Sequence, residues 1–322
     1  MNPLKNNKNK ILACLTVIIL FLLVGGLFFF ISLKNRERTK KLRQAVIERQ
    51  RVQDLAERFN NIYLDTTATS SPLTSKSYLT MIMTGDGDEK ILNQKNPDLV
   101  WPIASVTKLM TAIIILENVD LEMPVTATLD YIGQEESFFV LKTDKKYRVK
   151  DLLANALIAS DNDSARLLSS TLGKNNFVAK MNQRARELDL TQTHFFNVTG
   201  LDPIASSSDE LNVSTATDLA NLLIFIQKTY PEILKITTQT EYNFCETENS
   251  CQIVNNTNKL LNNKDFQLKI LGGKTGYTDL AGKNLVLVTD ILNDIVLVNI
   301  VLGSNDNFVD TLSLINQIKV QD

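Results

Sequence analysis

Histidine and cysteine are scarce in this 322-residue chain, which contains one histidine, His194, and three cysteines. Zinc sites use clusters of Cys, His and carboxylate ligands at short spacings, and the sequence shows no such cluster. A Ser-His-Asp triad would have to use the single histidine, and the Gly-x-Ser-x-Gly motif that often carries the serine is absent. We therefore predict no zinc site, and we interpret His194 as structural.

An excess of charge of either sign is also absent. The chain has 34 Lys and Arg residues against 36 Asp and Glu residues, which gives a formal net charge of −2. Proteins that bind nucleic acid usually carry a marked basic surplus. The composition therefore predicts no nucleic-acid partner, and its 44% of hydrophobic residues is typical of a globular domain with accessory segments.

Residues 11–33 carry no charge and are nearly all apolar. A run of this length can cross a hydrocarbon core of about 30 Å, and it exceeds the apolar region of a cleavable signal peptide. We therefore predict a membrane anchor over 11–33, and the family resemblance given below implies that 1–10 is a cytoplasmic N-terminus. The charges around the anchor favour the opposite orientation, because six of the basic residues follow it closely. Large domains can translocate regardless of such charge, so the charge pattern leaves the topology open.

Three further segments follow the apolar run. Apolar residues recur at spacings of three, four or six over 34–63, which predicts a basic helical stalk; a short coiled coil or contact with anionic headgroups is the alternative. Residues 64–76 are rich in Ser and Thr and are interpreted as a linker. The folded domain is expected over 77–322. Within it, Cys245 and Cys251 would form a disulfide outside the cytoplasm and stay thiols inside it.

Hydrophobic periodicity places strands and helices along this domain. Strands are predicted over 78–83, 89–92, 285–289 and 295–302. Helices are predicted over 105–117, 149–172, 177–188, 214–226 and 306–318. The acidic segment 84–88 is interpreted as a hairpin turn, because the further oxygen ligands of a calcium loop are missing.

Ser105 and Lys108 lie three residues apart at the head of an apolar helical run. Residues at this spacing share a helix face, with about 5–6 Å between their Cβ atoms. A hydroxyl beside an amine is a candidate nucleophile with its own base, and a helix N-terminus favours negative charge on the oxygen. No other serine in the chain has a lysine at the third following position, although the spacing alone is weak support.

Two further clusters can complete such a site. A Ser-Asp-Asn cluster at 160–162 supplies a second hydroxyl and an amide, but such a cluster is also typical of a turn or a helix end. A Lys-Thr-Gly cluster at 274–276 lies just before a predicted hairpin. Strand alternation puts its first two side chains on opposite faces, and its glycine allows a close approach of another backbone.

Ser-x-x-Lys, Ser-Asp-Asn and Lys-Thr-Gly each occur once and in this order, a trio shared by penicillin-binding proteins and class A β-lactamases. On these motifs the chain resembles the low-molecular-mass penicillin-binding proteins, the serine-type D-alanyl-D-alanine carboxypeptidases. The resemblance covers about 77–318 and includes the segments 102–108, 193–202 and 274–286. It implies an α/β (α+β) architecture of the β-lactamase/transpeptidase-like fold, with an antiparallel five-stranded sheet flanked by helices and an all-helical subdomain.

The resemblance also implies a mechanism, which needs no metal and no cofactor. Ser105 would attack the carbonyl of the penultimate D-Ala of a peptidoglycan stem peptide, and a neutral Lys108 would accept its proton. Because free lysine titrates near about 10.4, burial and a second cation, Lys274, would have to favour the neutral amine. Ser160 and Asn162 would relay a proton to the leaving amine and grip the peptide.

The remaining site residues follow from the same resemblance. The backbone N–H groups of Ser105 and Tyr277 would hold the oxyanion. Lys274, Thr275 and Gly276 would bind the substrate, with the first two receiving its terminal carboxylate. β-Lactams would acylate the same serine as inhibitors. The domain would lie outside the cytoplasmic membrane, because the stem peptides of mature cell wall are found there.

The last predicted helix departs from the family pattern. It begins with Asn307 where many members carry an arginine that binds the substrate carboxylate, so an endopeptidase is an alternative to a carboxypeptidase. A class A β-lactamase, the second alternative, would need Glu-x-x-Leu-Asn, and Ser208 stands at the glutamate position. The third alternative is a membrane-tethered β-lactam or wall sensor that is acylated without turnover.

Overall fold

The computed structural model describes residues 3–67, 72–85, 87–132, 141–203, 210–246, 250–292 and 294–321. Asp86 in the acidic turn and Ser208 at the β-lactamase position lie outside these residues. The chain divides into two compact units, Met1–Asn60 and Asn61–Asp322.

The first unit contains one long helix, α1 (Pro3–Asn60). Pro3 stands at its first position, where the missing backbone N–H needs no intrahelical partner. The apolar side chains between positions 12 and 33 are exposed, and Phe21 reaches 78% exposure. By length and composition this helix can cross a membrane.

The second unit combines helices with strands of very different lengths. Its helices, within the described residues, are α2 (Lys108–Asn118), α3 (Val149–Ile158), α4 (Asn162–Ser169), α5 (Lys174–Glu187), α6 (Ala216–Thr229), α7 (Pro231–Thr237) and α8 (Asn307–Asn316). Its strands there are β1 (Ile62–Leu64), β2 (Ser77–Thr84), β3 (Glu89–Lys95), β4 (Trp101–Pro102), β5 (Pro124–Thr126), β6 (Lys146–Arg148), β7 (Val213–Ser214), β8 (Glu241–Cys245), β9 (Cys251–Asn255), β10 (Lys269–Thr278), β11 (Gly282–Asp290), β12 (Ile295–Ser304) and β13 (Ile318–Val320).

An antiparallel five-stranded sheet forms the centre of this unit, in the order β10-β11-β12-β2-β3. Every residue of β12 is buried, and both α6 and α8 pack against this strand. A strand covered on both faces needs apolar side chains at successive positions, and β12 supplies them in its run of Ile, Val and Leu. The sheet confirms the predicted fold class, and it leaves β10 as one of its two edge strands.

A cluster of helices packs beside the sheet. α2 contacts α3 and α5, and α3 contacts α4. Leu109, Met110 and Ile113 of α2 are fully buried in this core. The helix predicted over 149–172 is interrupted between α3 and α4, where the Ser-Asp-Asn cluster forms a turn instead.

The folded unit begins earlier than the sequence suggested. We expected a stalk through 63, a linker over 64–76 and a domain from 77, but α1 ends at Asn60 and β1 pairs with β13 near the other end of the chain. Ile62 of β1 is fully buried, and Lys90 donates a hydrogen bond to its carbonyl oxygen at 2.7 Å. A strand of three residues is too short to show an alternation of apolar and polar side chains in the sequence. Its pairing partner, β13, is also distant in the sequence.

β8 and β9 form a hairpin closed by a disulfide between Cys245 and Cys251, which are direct cross-strand partners. The sequence left this pairing open, and the structure contains it. Phe244 beside the disulfide is 2% exposed and stacks on Tyr147, with ring centroids 5.4 Å apart. The hairpin is therefore fixed both covalently and by aromatic packing.

Candidate active site

A cavity of about 320 Å³ borders the edge strand β10 and the turns that precede α2 and α4. It is lined by Ser105, Ala159, Ser160, Asp161, Asn162, Leu201, Thr257, Thr275, Gly276, Tyr277, Lys283, Asn307 and Phe308. Residues of all three predicted motifs contribute to this lining. The fold therefore brings together clusters that are far apart in the sequence.

Ser105 lies on a 3-10 turn, Ala104–Thr107, rather than in the α-helix that the sequence predicted from this residue. The preceding Ala104 has a φ of 47°, a left-handed conformation that costs a non-glycine residue about 1–3 kcal/mol. Gly200, with a φ of 84°, packs directly on this turn, and a Cβ at Gly200 would overlap the Ala104 carbonyl. Backbone strain and close packing therefore meet beside the serine.

The amine of Lys108 is surrounded by three oxygen atoms. Its Nζ lies 2.8 Å from Ser105 Oγ, 2.8 Å from Asn162 Oδ1 and 3.1 Å from the carbonyl oxygen of Thr199. Lys108 is only 1% exposed, so these contacts are shielded from solvent. Ser105 and Asn162 belong to predicted motifs, whereas a backbone carbonyl such as that of Thr199 leaves no signature in a sequence.

The Ser-Asp-Asn cluster forms a tight turn between α3 and α4. Ser160 adopts a left-handed conformation with a φ of 61°. Asp161 is the N-cap of α4, and its carboxylate accepts a hydrogen bond from the backbone N–H of Ser164 at 2.7 Å. Asn162 is then the first residue of α4 and reaches Lys108 with its side-chain oxygen. The cluster thus forms a turn and a helix cap, and both Ser160 and Asn162 also line the cavity.

Lys274 is buried behind the lining of the cavity. It donates hydrogen bonds to Ser160 Oγ at 2.8 Å and to the carbonyl oxygen of Thr275 at 3.1 Å. Burial, and after it the positive charge of Lys108, hold the pKa of Lys274 well below its ordinary value. Because the two amines repel each other, the site disfavours the state in which both carry a charge.

Strand β10 runs directly past the serine turn. A Cβ at Gly276 would lie 3.2 Å from the backbone nitrogen of Ser105, so the strand could not approach this closely with a larger residue. The side chain of the preceding Thr275 lies 2.6 Å, oxygen to oxygen, from Thr257 in the loop after β9. No sequence motif singled out Thr257.

The open end of the cavity is formed by β10, β11 and the start of α8. Tyr277 is 62% exposed and is the cross-strand partner of Lys283. Asn307, at the first position of α8, donates from Nδ2 to the carbonyl oxygen of Asn284 at 2.7 Å. Its Oδ1 is buried and has no hydrogen-bond partner among the described residues. The amide is therefore oriented by the sheet.

His194 lies outside the lining of the cavity. Its backbone exchanges two hydrogen bonds with Val213, and its ring packs edge-on against Phe196 with centroids 4.6 Å apart. This placement agrees with the structural role predicted for it. Within the described part of the chain, no group of three or more His, Cys, Asp or Glu side chains could hold a metal ion.

The amino-acid sequence matches a known family. The model of the Peptidase S11 family, described as D-alanyl-D-alanine carboxypeptidase, matches residues 65–306. The chain belongs to this family. The match begins well before position 77, as expected for a folded unit that starts at Asn61.

Similar proteins carry two activity names. The solved D-alanyl-D-alanine carboxypeptidase of Mycobacterium tuberculosis H37Rv has a TM-score of 0.67 and 26% identity, covering 79% of this chain and 94% of that chain. Penicillin-binding protein D2 of Listeria monocytogenes, in its ampicillin-bound form, has a TM-score of 0.65 and 26% identity, covering 77% and 99%. A D-alanyl-D-alanine endopeptidase of Pseudomonas aeruginosa is 34% identical over 65% of this chain and 66% of its own length. The match thus spans just under two thirds of that relative.

Proposed function

We propose that the protein is a serine D-alanyl-D-alanine carboxypeptidase, which removes the terminal D-Ala from peptidoglycan stem peptides through an acyl-enzyme. The observation that carries the proposal is the set of three contacts at the Lys108 amine. A neutral amine has two N–H donors and one lone pair. The oxygens of Asn162 and Thr199 can accept the two N–H groups, which leaves the lone pair for the hydroxyl of Ser105. The buried site can therefore hold the neutral amine that a general base requires.

The reaction follows from this arrangement. The Ser105 oxygen forms a bond to the carbonyl carbon of the penultimate D-Ala while its proton passes to Lys108. The carbonyl electrons move onto the oxygen, which the backbone N–H groups of Ser105 and Tyr277 hold. When the carbonyl re-forms, the C–N bond breaks, and the proton held by Lys108 passes through the Ser160 hydroxyl to the leaving amine, while Asn162 grips the peptide. Water then hydrolyses the ester, which releases the shortened peptide and restores the serine.

Lys274 supports the relay rather than the nucleophile. Its buried amine contacts Ser160 Oγ directly, and its lowered pKa is a response to burial and to the charge of Lys108. When a proton from Ser105 charges Lys108, the burial of that amine, which is 1% exposed, favours passing the charge on. The pair thus assists proton delivery to the leaving group.

The test is release of D-Ala from a peptide that ends in D-Ala-D-Ala. The wild-type protein should release D-Ala and should bind a labelled penicillin covalently, and Ser105→Ala should lose both. Rapid turnover of the bound penicillin would indicate a β-lactamase. Stable penicillin labelling without any D-Ala release would indicate a sensor.

An endopeptidase is the second candidate function. Two observations favour it. The Pseudomonas aeruginosa relative carries that name. Asn307 stands where many members of the family carry an arginine that binds the substrate carboxylate. Digestion of purified cross-linked muropeptide dimers, followed by mass spectrometry, separates the two activities. Cleavage of dimers at a rate above that of D-Ala release would favour the endopeptidase.

We further propose that residues 11–33 anchor the protein as a single-pass segment in the cell membrane, with residues 1–10 inside and the catalytic domain outside. The Cys245–Cys251 disulfide supports this orientation, because disulfides persist mainly in oxidising compartments. Protease added to cells with an exposed membrane surface should digest the domain. Full protection of the domain would contradict the orientation.

A further inference from the structure

The cavity carries an exposed positive charge that the mechanism above leaves unused. Lys283, at the start of β11, is the one basic side chain among the described residues that line the cavity. It is exposed, and no hydrogen bond or ion pair joins it to another described residue. Lys283 lies on the hairpin that contains the Lys-Thr-Gly motif, but it is not part of that motif.

The predicted carboxylate site on β10 presents a hydroxyl to the cavity but no exposed positive charge. Lys274 is 1% exposed, and its amine contacts Ser160 and the backbone behind the cavity. The Thr275 hydroxyl is already within 2.6 Å of Thr257. Neither group presents a free positive charge to the cavity. A substrate that ends in a carboxylate would therefore still need a cation, and Asn307 does not supply one.

We propose that Lys283 binds the carboxylate of the substrate's last residue and so selects peptides with a free C-terminus, an inference that rests on the proposed D-Ala-D-Ala carboxypeptidase activity. Lys283 and Tyr277 are direct cross-strand partners, so their side chains lie on the same face with Cβ atoms about 4.5–5.5 Å apart. The backbone N–H of Tyr277 is assigned to the oxyanion. The leaving residue, which is bonded to the same carbonyl carbon, therefore lies beside this pair.

Among the described residues, no neighbouring carboxylate forms an ion pair with Lys283. Asp161, the acidic residue in the cavity lining, is 4% exposed and accepts the capping hydrogen bond of α4. Asp279, in the turn between β10 and β11, accepts the hydroxyl of Tyr277 at 3.0 Å. The Lys283 ammonium thus stays available for a substrate carboxylate, with which it can form a charge-assisted hydrogen bond.

The experiment measures binding without turnover, in full-length protein carrying Ser105→Ala. Two probes are compared by calorimetry: a short peptide ending in D-Ala-D-Ala with a free carboxylate, and the same peptide with a C-terminal amide. The acid should bind about tenfold or more tightly than the amide, as expected for a hydrogen bond between charged groups. Adding Lys283→Met should abolish this preference by weakening the acid alone, and Lys283→Arg should keep it.

Lys269→Met is the matched control, because Lys269 is an exposed lysine on the same pair of strands at their opposite end. It should leave the preference unchanged. Equal binding of acid and amide by the Ser105→Ala protein, or a preference that survives Lys283→Met, overturns the inference. Absence of D-Ala release by the protein with Ser105 intact overturns the proposed activity instead, and the binding measurement still reports on Lys283.

Discussion

At the scale of single residues, the site is built on backbone strain. Ala104 and Ser160 both hold left-handed conformations, and each adjoins or belongs to one of the three predicted motifs. Such strain persists only where the surroundings enforce it. Gly200 provides part of that enforcement at Ala104, because the two backbones touch without an intervening side chain.

Gly200→Ala should therefore slow acylation as well as destabilise the fold. The new Cβ would overlap the Ala104 carbonyl and displace the turn that carries Ser105. Gly173→Ala is the control, because Gly173 has a similar φ of 80° but nothing within 4 Å of an added Cβ. The control should lose only about 1–2 kcal/mol of stability and label normally with penicillin. Equal labelling rates for the two variants would show that Gly200 does not position the serine.

Because the pKa of Lys274 is lowered in the folded protein, we expect stability to depend on pH in a specific way. Its pKa is well below the ordinary value in the folded state, whereas in the unfolded chain it titrates near about 10.4. Between those two values the unfolded chain holds one more proton, so the free energy of unfolding rises as the pH rises through this window. Urea unfolding at a series of pH values should show a smaller rise for Lys274→Met than for Lys269→Met. Identical slopes would mean that Lys274 is not desolvated.

Many residues that line the cavity could be predicted from the sequence, but their positions and contacts could not. Three short motifs singled out Ser105, Lys108 and Ser160, which the fold brings together at the cavity. The Thr199 carbonyl and Thr257 could not be found in this way, since backbone groups and single threonines carry no motif. Burial of Lys274 away from the cavity was also unpredictable, because strand alternation gives the face of a residue but not what covers that face.

At the scale of elements, α8 is fixed to the start of the folded unit by one carboxylate. Asp310 is 2% exposed and accepts hydrogen bonds from the backbone N–H of Thr74 and Ser75 and from the hydroxyl of Ser304. This helix also carries Asn307 into the cavity. The helix α8 therefore connects the segment before β2, at Thr74 and Ser75, to the part of the cavity lining that contains Asn307.

Asp310→Asn should lower the free energy of unfolding by about 2–4 kcal/mol, because it weakens several charge-assisted hydrogen bonds and adds donors that face other donors. The control is Asp306→Asn. Asp306 is the exposed N-cap of α8, and asparagine caps a helix as well as aspartate does. Chemical denaturation of both variants measures the difference. A loss of equal size in the two would mean that capping, and not the buried carboxylate, holds the helix.

Elements with long apolar runs were predicted well, and those defined by a local turn were not. β12 and α6 bury continuous or periodic apolar faces, which the sequence displays directly. The 3-10 turn before α2 and the break between α3 and α4 arise from strained residues and from a capping aspartate. The periodicity of the flanking apolar residues favours continuing a helix at both places, and the strained residues and the capping aspartate override it.

At the scale of the whole molecule, the boundary of the folded unit has a measurable consequence. A chain truncated to 61–322 keeps β1 and its pairing with β13. A chain truncated to 77–322, the boundary that the sequence suggested, also loses the backbone donors to Asp310. We expect 61–322 to be soluble and to label with penicillin like the full chain.

The shorter chain, 77–322, should be less stable than 61–322 by at least about 3 kcal/mol. Burial of Ile62 contributes part of this difference, and the hydrogen bonds that Asp310 receives from Thr74 and Ser75 contribute the rest. An intermediate truncation to 66–322 removes β1 but keeps those donors, so denaturation of all three chains separates the two contributions. If 66–322 matches 77–322, the strand pairing alone defines the boundary. If it matches 61–322, the strand is dispensable and the carboxylate of Asp310 is what closes the unit.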